Sequence, residues 1–553
     1  MNNTKILAAV LAAAVAACSP GNDATVARTA KTEHDAAIDL ITIDALRGHV
    51  AYLADDAREG RMTGTPGHED AASYVAGQFA ELGLEPGGED GSWYQQVPLI
   101  SYRINNETTT VATHRDGIDS TLVYREDYGM GGDKVREENS IRAEVVYVGY
   151  GVHAPELGYS DYDGVDVDGK LVAVFSGAPA AFPHNELAFY SSGRTKAQEA
   201  IRRGAAGFIG LRSRKSQESV PWERYKKLTG SRPGMAWVNL SGEAADYYPE
   251  LLGSVTISAA KTQELFEGTP ISFEDALDTI EASRPASTPL GFEMSLSRQT
   301  NHERITSPNV IGIIRGTDPE LADEYVIYSG HLDHLGIGVE ENGDNIYNGA
   351  YDNAMGIGLL LEAARAFAAS PPRRSILFIA VTGEERGLLG SDYFAHYPTV
   401  PTDAMVANVN LDMPLFLYPL ADVVAFGSEH SSLERMVEGA VRKDGFILSP
   451  DPMPEERIFI RSDQYSFVRK GVPAIYLKPG PNSTDPDVDT AAREKDHRLN
   501  HYHRPSDDLN RPVDWDSALR FARANTRIGY AIADTDERPT WNEGDFFGEM
   551  FAQ

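Results

Sequence analysis

The 553 residues carry 50 basic and 82 acidic side chains, a formal net charge of −32, and 42% of them are apolar. This apolar fraction is ordinary for globular proteins and too high for a disordered chain, and the length predicts two to four domains. So large an acidic surplus repels nucleic acid and anionic lipid, and because the sequence shows no basic patch, a nucleic-acid partner is not expected.

The chain begins with the pattern of an export signal. Lys5 precedes an apolar run, residues 6–17, that is too short to span a bilayer. The letters VAAC at residues 15–18 resemble a bacterial lipoprotein box. We therefore expect cleavage of residues 1–17, lipidation of Cys18 and attachment of the exported chain to the membrane of the bacterial cell envelope. The alternative is a plain signal cleaved nearby, with an incidental cysteine.

Cys18 is the sole cysteine, so that its lipidation leaves no thiol for a disulfide or a cysteine metal site. The residues that follow it are small, polar and unpatterned, and residues 18–38 are predicted to be a flexible tether. No other hydrophobic segment approaches the length of a membrane span.

Helices and then short strands follow the tether. Apolar residues at spacings of three and four, with Gly83 at the C-cap position, predict helices between residues 40 and 84. From about Ile141 the pattern changes to β runs at 144–150 and 170–175, separated by Gly- and Asp-rich turns. We therefore divide the chain into the N-terminal part of a catalytic domain (39–135), an inserted β-rich domain (136–290) and the rest of the catalytic domain (291–553).

Beyond Gly291 apolar strands alternate with helices. Strands so uniformly apolar are buried on both faces, and intervening helices imply parallel pairing with right-handed crossovers. The predicted strands are 309–314, 325–329, 375–381, 404–411 and 473–477, and the predicted helices are 353–370 and 516–533. The fold class is therefore α/β, with a doubly wound, mostly parallel sheet and helices on both faces.

Side chains of the types that bind metal ions follow several of these strands. Open α/β sheets bind their ligands at the carboxyl ends of the strands. The group comprises His331, Asp333, Asp352, Glu384, Glu385 and Asp412, and His503 lies in a loop far downstream. Imidazole and carboxylate together suit zinc, whereas calcium and magnesium favour oxygen ligands alone. Five such ligands suit two zinc ions that share a bridging carboxylate.

The order and wording of these segments resemble the di-zinc aminopeptidase family, the co-catalytic zinc exopeptidases that include glutamate carboxypeptidase and glutaminyl cyclase. The motifs are GHLDHLG, GAYDNAMG, TGEERGLLGS, NVNLDM, RSDQYSF followed by GVPAIYL, and YHRPSDD. The resemblance covers nearly the whole exported chain and implies a zinc exopeptidase fold. In RSDQYSF this chain has Gln464 where the family often has histidine.

The resemblance implies roles for particular residues. Asp352 would bridge the two ions, His331 and Asp412 would bind one of them, and Glu385 and His503 the other. Glu384 matches the general base, and Asp333 matches a carboxylate that orients the histidine two residues before it.

Other residues near these motifs have two interpretations each. Tyr502 matches the residue that offers its hydroxyl to the developing oxyanion, or it is a half-buried aromatic that packs beside a ligand loop. Arg461 and Asp463 either line the substrate pocket or form an ion pair. His334 and His501 match no ligand position, and solvated or supporting roles are expected for both.

The segments YVGYGV, YSDYDGVDVDGK and GAAGFIGL in the inserted domain resemble a protease-associated domain. Such inserts are credited with shaping access of substrate to the site, and the alternative here is a stabilising addition. The sequence makes no prediction of the oligomeric state.

The predicted function is a zinc-dependent aminopeptidase that removes N-terminal residues from peptides, with Glu384 as general base. The alternatives are a carboxypeptidase for acidic C-termini, which needs arginines directed at two carboxylates, a glutaminyl cyclase, and a receptor-like relative without activity. An adhesin that uses its metals structurally is a further alternative.

Overall fold

The computed structural model describes residues 33–228 and 232–552. The predicted signal, residues 1–17, and Cys18 lie outside the described residues. Of the predicted tether, residues 33–38 are described and are helical, and Ala37 and Ile38 are buried. Ile38 belongs to the main core, so residues 33–38 are not part of a flexible tether as predicted. No helix in the described part of the chain is both long and apolar enough to cross a bilayer.

The main sheet is mixed, with four adjacent parallel strands at its centre. Its strands, from one edge to the other, are Gly234–Trp237, Tyr94–Ile104, Ser287–Ile314, Ser375–Val381, Tyr325–His331, Met405–Asn410, Ala474–Pro479, Asp422–Phe426 and Ile447–Ser449. The short strand Glu85–Pro86 adds to the side of Ser287–Ile314 that Tyr94–Ile104 also occupies. Strand Ser375–Val381 is buried at all seven residues, as the apolar run from Ile376 to Val381 predicts.

Helices cover both faces of this sheet, which confirms the predicted α/β class. On one face the largest core includes Phe79, Leu360 and Phe521 from three helices, packed against strand residues such as Tyr328 and Phe378. On the other face a smaller core contains Phe394 and Phe467. The helices of this domain are Ile43–Leu53, Pro66–Glu81, Gly356–Ala369, Leu389–His396, Leu433–Val441, Gln464–Val468, Thr490–Asn500, Trp515–Ala533 and Phe546–Phe551.

A second sheet forms the β-rich part of the molecule. Its strands in spatial order are Ile118–Thr121, Thr110–Arg115, the first half of Ser287–Ile314, Glu138–Val148, Leu171–Phe175, Gly207–Leu211, Gly253–Ile257 and Tyr128–Gly129. Its helices are His184–Ser191, Gly193–Arg202, Arg214–Ser219, Trp222–Leu228, Ala259–Leu265 and Phe273–Glu281. Two hairpins, Gly336–Glu341 with Asp344–Tyr347 and His153–Ala154 with Tyr159–Ser160, complete the strands. The resemblance of this part to a protease-associated domain stays a prediction.

One strand joins the two sheets. Ser287–Ile314 is 28 residues long, and it pairs with Glu138–Val148 through its first half and with Ser375–Val381 through its last residues. The sequence pattern predicted two separate strands there, an alternating one with Phe292, Met294 and Leu296 on one face and a second at 309–314. The second sheet and its core also include residues 104–130, so they begin before the predicted boundary at residue 136. The two sheets are therefore joined through the hydrogen-bonded backbone of this one strand.

Candidate metal centre

Three of the predicted ligands follow adjacent parallel strands of the main sheet. His331 is the last residue of its strand, and Glu385 and Asp412 follow the ends of the strands on either side. Parallel pairing brings these three strand ends to one edge of the sheet. The sheet therefore gathers side chains that are up to 81 residues apart in the chain.

Asp352 comes from the turn Ala350–Met355, which leads into helix Gly356–Ala369. The buried carboxylate of Asp507 accepts hydrogen bonds from the backbone N–H groups of Tyr351 and Asp352, each at 3.1 Å. Before the turn, Gly349 has a φ of +60°, and a Cβ there would lie 2.6 Å from the ring of His334. Glycine is therefore required for the loop that carries Asp352 to approach this ring.

The five predicted ligands form two clusters that share Asp352. In the first cluster the Nε2 atom of His331 lies 3.2 Å from Asp352 Oδ1 and 3.3 Å from Asp412 Oδ1. In the second, His503 Nε2 lies 3.2 Å from Asp352 Oδ2 and 3.1 Å from Glu385 Oε2. Each oxygen of Asp352 thus faces a different imidazole, which is the arrangement that a carboxylate bridging two cations requires.

His334 also belongs to the second cluster, although the sequence favoured a solvated or supporting role for it. The ring is fully buried, and its Nδ1 atom lies 2.7 Å from Glu385 Oε1 and 3.9 Å from Asp352 Oδ2. Neither Nδ1 nor that oxygen of Glu385 makes a well-formed hydrogen bond within the described residues. Potential ligand atoms of His334, Asp352 and Glu385 lie within 4.8 Å of one another, so this histidine is a further candidate ligand.

The electrostatics of the two clusters fit divalent cations. Burial lowers the pKa of His503, but Glu385 and Asp352 outweigh it and raise that pKa to about 10. Burial also lowers the pKa of His331. The carboxylates of Glu384, Asp352 and Asp412 outweigh this effect and raise that pKa well above its ordinary value. The carboxylates therefore create a strongly negative potential at the imidazoles, which a bound cation would neutralise with release of protons. Mixed nitrogen and oxygen donors without cysteine suit zinc.

Glu384 lies beside the clusters and also lines the adjoining cavity. Burial raises the pKa of its carboxyl well above the ordinary value, and the neighbouring Asp412 adds to this rise. Its backbone N–H donates to Asp333 Oδ1 at 3.1 Å, and Thr63 donates to the other oxygen of Asp333. The carboxylate of Asp333 thus fixes the start of the turn that carries Glu384.

The predicted contact between His331 and Asp333 is made by a different atom. The imidazole Nδ1 lies 3.0 Å from the backbone carbonyl oxygen of Asp333 and 4.0 Å from the nearer carboxylate oxygen. The carbonyl therefore accepts from Nδ1 and leaves Nε2 free for a metal ion. The predicted orienting role of the carboxylate needs correction, because the carboxylate is occupied by Glu384 and Thr63.

The two predicted pocket residues, Arg461 and Asp463, lie in different environments. Arg461 lines the cavity beside the metal centre, and its nearest acidic partner is Glu456 at 3.5 Å. Asp463 is fully buried and is absent from the cavity wall, so neither the predicted pocket role nor an ion pair with Arg461 describes it. Burial raises the pKa of Asp463 to about 7. Gln464 accepts from Asn410 at 2.8 Å and donates to the carbonyl of Phe459, which is a structural role.

Tyr502 stacks on the ring of His503 with ring centroids 3.8 Å apart, and it lines the same cavity as Glu384. Burial raises the pKa of its phenol well above the ordinary value, so the hydroxyl keeps its proton. The stacked position fits both interpretations of this tyrosine, as a hydroxyl donor and as packing for a ligand loop. His501 instead lies near Ser506 and Arg511 and outside the clusters.

Arg61 is a buried residue of the site that no sequence pattern indicated. Its guanidinium donates to the backbone carbonyls of Leu332, Asn348 and Gly349, and also to that of Leu53. Burial lowers its pKa to about 10, so it remains a cation at neutral pH. Arg61 therefore ties the loop after His331 to the loop before Asp352. A lone arginine between two helical segments gave no signal of this role.

Two cavities meet at the metal centre. The first has a volume of about 220 Å³, and its wall combines Asp352, Glu384, Asp412 and His503 with apolar side chains. These apolar side chains are Met413, Leu415, Val424, Phe426, Met453 and Ile458. The second has a volume of about 380 Å³ and reaches Glu385 and His503 from another direction. A substrate bound at the centre could therefore extend into both.

Comparison with known proteins supports this interpretation of the site. Residues 309–528, which contain all five predicted ligands, match the model of Peptidase family M28. The chain is 32% identical over 179 residues to Aminopeptidase NAALADL1 of Mus musculus, covering 27% of this chain and 22% of that protein. It is 35% identical over 118 residues to a probable zinc metalloprotease of Pyrenophora teres f. teres, covering 20% and 24%. The matches thus span about a quarter of the length of each curated relative.

The fold is similar to that of a solved structure. The aminopeptidase from Aneurinibacillus sp. strain AM-1 aligns with a TM-score of 0.52 and 18% identity, over 90% of this chain and 95% of that chain. At this identity the likeness concerns the fold, and it agrees with the mixed sheet flanked by helices. The family model supports Peptidase family M28 for the part of the chain that carries the metal centre.

Proposed function

We propose that this chain is a zinc-dependent exopeptidase of the M28 type that removes N-terminal residues from peptides with two zinc ions. The observation that carries the proposal is the position of Asp352 between His331 and His503, with one carboxylate oxygen toward each. His331 and Asp412 would complete the site of one ion, and Glu385, His503 and His334 that of the other. When bound, two such zinc ions polarise a carbonyl group and lower the pKa of bound water.

Glu384 is the proposed general base. Its buried carboxyl has a raised pKa and lies beside both clusters, where it can take a proton from water and pass it to the leaving amine. Asp333 accepts from the backbone N–H of Glu384 and so holds the turn in place. The Tyr502 hydroxyl, protonated and in the wall of the same cavity, can donate to the oxyanion that develops on the scissile carbonyl.

The first cavity supports release of the N-terminal residue. Its apolar walls suit the side chain of the first residue, and the acidic groups of the site would attract the α-ammonium group. Opposite charges in such a partly desolvated place attract strongly. This arrangement favours aminopeptidase activity over the receptor-like alternative, since no predicted ligand is missing.

Attachment of the chain to the cell envelope through a lipid on Cys18 remains part of the proposal. Peptides in that compartment would be the substrates.

Release of amino acids from a panel of peptides tests the function. We expect leucyl and other apolar N-terminal residues to be released, activity to disappear with a zinc chelator, and activity to return on addition of zinc. A peptide with a blocked α-amine should resist cleavage. Equal cleavage of blocked and free peptides would contradict aminopeptidase activity, and cleavage restricted to acidic C-termini would favour the carboxypeptidase alternative.

A further inference from the structure

The second cavity at the metal centre is lined by three arginines from separate parts of the chain. Arg103 belongs to strand Tyr94–Ile104, Arg232 lies two residues before strand Gly234–Trp237, and Arg386 follows Glu385. The two strands are paired, with Gly234 opposite Tyr102, and this pairing brings the first two arginines to the same wall. The cavity holds about 380 Å³ and includes Glu385 and His503 in its lining.

Two of these guanidinium groups, those of Arg232 and Arg386, have donors that no protein partner satisfies. Within the described residues, Nε and Nη2 of Arg232 and Nη2 of Arg386 are buried without a hydrogen bond. The guanidinium of Arg232 lies over the ring of Tyr347, 4.5 Å from its centroid, and forms no salt bridge with a carboxylate of the described residues. Buried donors without acceptors are costly, and they persist where a ligand supplies the acceptor.

The arginines also repel one another. Arg103 and Arg232 carry the same charge as Arg386 and line the same cavity. Glu385 is the acidic side chain nearest this group in the cavity wall, but it faces His334 and His503 in the second metal cluster. Two divalent cations would more than balance the three ligand carboxylates of the clusters. Arg232 and Arg386, which form no salt bridge with a described carboxylate, would then leave positive charge at the wall for an anion to neutralise.

We propose that the cavity lined by Arg103, Arg232 and Arg386 binds a carboxylate on the part of the substrate that follows the scissile bond. The inference rests on the proposed function, because the first cavity would hold the N-terminal residue and the second would hold the leaving part. Arginine suits carboxylates because its planar fork donates two parallel hydrogen bonds. The enzyme would therefore prefer substrates with a carboxylate on the first residue after the cleaved bond.

Two sources can supply such a carboxylate. One is the C-terminal α-carboxylate of a dipeptide, and the other is the side chain of an aspartate or glutamate in the second position. Leucyl-leucine, leucyl-leucine amide and leucyl-glutamate amide separate them. If the α-carboxylate binds, leucyl-leucine exceeds its amide in kcat/KM by about 10- to 100-fold, as the loss of a charged hydrogen-bond pair implies. If the side chain binds, leucyl-glutamate amide exceeds leucyl-leucine amide by a similar factor.

The variants Arg232→Gln and Arg386→Gln, singly and together, test whether these side chains are responsible. We expect them to lower kcat/KM for the carboxylate substrate by about 10- to 100-fold and to change that of leucyl-leucine amide little. Arg386→Lys keeps the charge and should retain part of the preference. Arg435→Gln is the matched control, because Arg435 is 78% exposed and lies outside both cavities. Zinc content and melting temperature are measured for every variant.

Several outcomes would overturn the inference. Equal kcat/KM for all three peptides in the wild-type enzyme would show that the cavity takes no carboxylate. A loss of zinc with an equal loss on amide and carboxylate substrates would show that the arginines only balance the charge of Glu385. If the zinc-loaded protein cleaves no peptide, the proposed function fails, and calorimetric titration with leucyl-leucine and its amide then tests the cavity alone. Equal affinities for leucyl-leucine and its amide in that titration would reject the binding of a carboxylate in this cavity.

Discussion

His334 Nδ1 lies 2.7 Å from Glu385 Oε1, and both atoms are buried without a well-formed hydrogen bond in the described part of the chain. A cation between His334, Asp352 and Glu385 would satisfy both atoms. The second metal cluster would then have four protein ligands, counting His503, whereas the first has three. We therefore expect the two ions to bind with different affinities.

Replacement of His334 tests this asymmetry. His334→Gln should weaken the binding of one zinc ion by about 10- to 100-fold and leave the other unchanged, as loss of a residue that binds or orients a metal ligand commonly does. Zinc per chain is measured by titration with a competing chelator. His501→Gln is the control, because that ring contacts Ser506 outside the clusters. Two zinc ions of wild-type affinity in the His334 variant would exclude the residue as a ligand.

Arg61 should be essential for holding the ligand loops. Arg61→Met removes the donors to four buried backbone carbonyls, and each unsatisfied carbonyl costs about 1–3 kcal/mol. Because the losses are not additive, we expect about 3–5 kcal/mol lower unfolding free energy and weaker zinc binding. Urea denaturation and the chelator titration measure both effects. Arg435→Met is the surface control. Wild-type zinc affinity in the Arg61 variant would show that the loops hold their positions without it.

Glu384→Gln separates proton transfer from metal binding. The amide keeps the size of the side chain but cannot accept a proton, so turnover should fall by about 10²- to 10⁴-fold. Zinc content should stay near that of the wild type, because His331, Asp352, Glu385, Asp412 and His503 are all retained. Turnover is measured with leucyl-leucine at saturating concentration. Undiminished turnover in this variant would remove Glu384 from the mechanism.

His68 should make the stability of the protein sensitive to acid. The ring is fully buried in helix Pro66–Glu81, and burial lowers its pKa from 6.5 to about 3. Between these values the unfolded chain binds a proton that the folded chain does not. The contribution of His68 to the unfolding free energy is therefore fully present above pH 6.5. It falls by about 1.4 kcal/mol per pH unit as the pH decreases below that value.

The difference between the wild type and His68→Gln measures this loss. Relative to the variant, we expect the wild type to lose about 2 kcal/mol of unfolding free energy between pH 7.5 and pH 5. Urea denaturation at both pH values gives the comparison. At pH 7.5 the ring is neutral in both states, so any difference there reports packing alone. Parallel pH dependence of the two proteins would contradict the depressed pKa.

The predicted strands and ligands illustrate how far the sequence pattern leads. Ser375–Val381 has the predicted bounds because all its residues are buried and all but Ser375 are apolar. His331, Glu385 and Asp412 could be grouped in advance, since parallel strands place their carboxyl ends at one edge. By contrast, Ser287–Ile314 was predicted as two strands, because the exposed polar residues at its centre interrupt the apolar pattern. A local pattern does not reveal that such a segment continues from one sheet into the next.

The amino-acid sequence by itself determined the α/β class, since apolar periodicity is a local property, and the resemblance of its motifs to a known family implied the five candidate ligands and the candidate base. Only the tertiary structure decided that His334 faces Glu385, that Arg61 joins two loops, and that three arginines line one cavity. These contacts form between segments distant in the chain, and their residues have no periodicity of their own. Long-range packing alone turns a common buried histidine or arginine into part of a site.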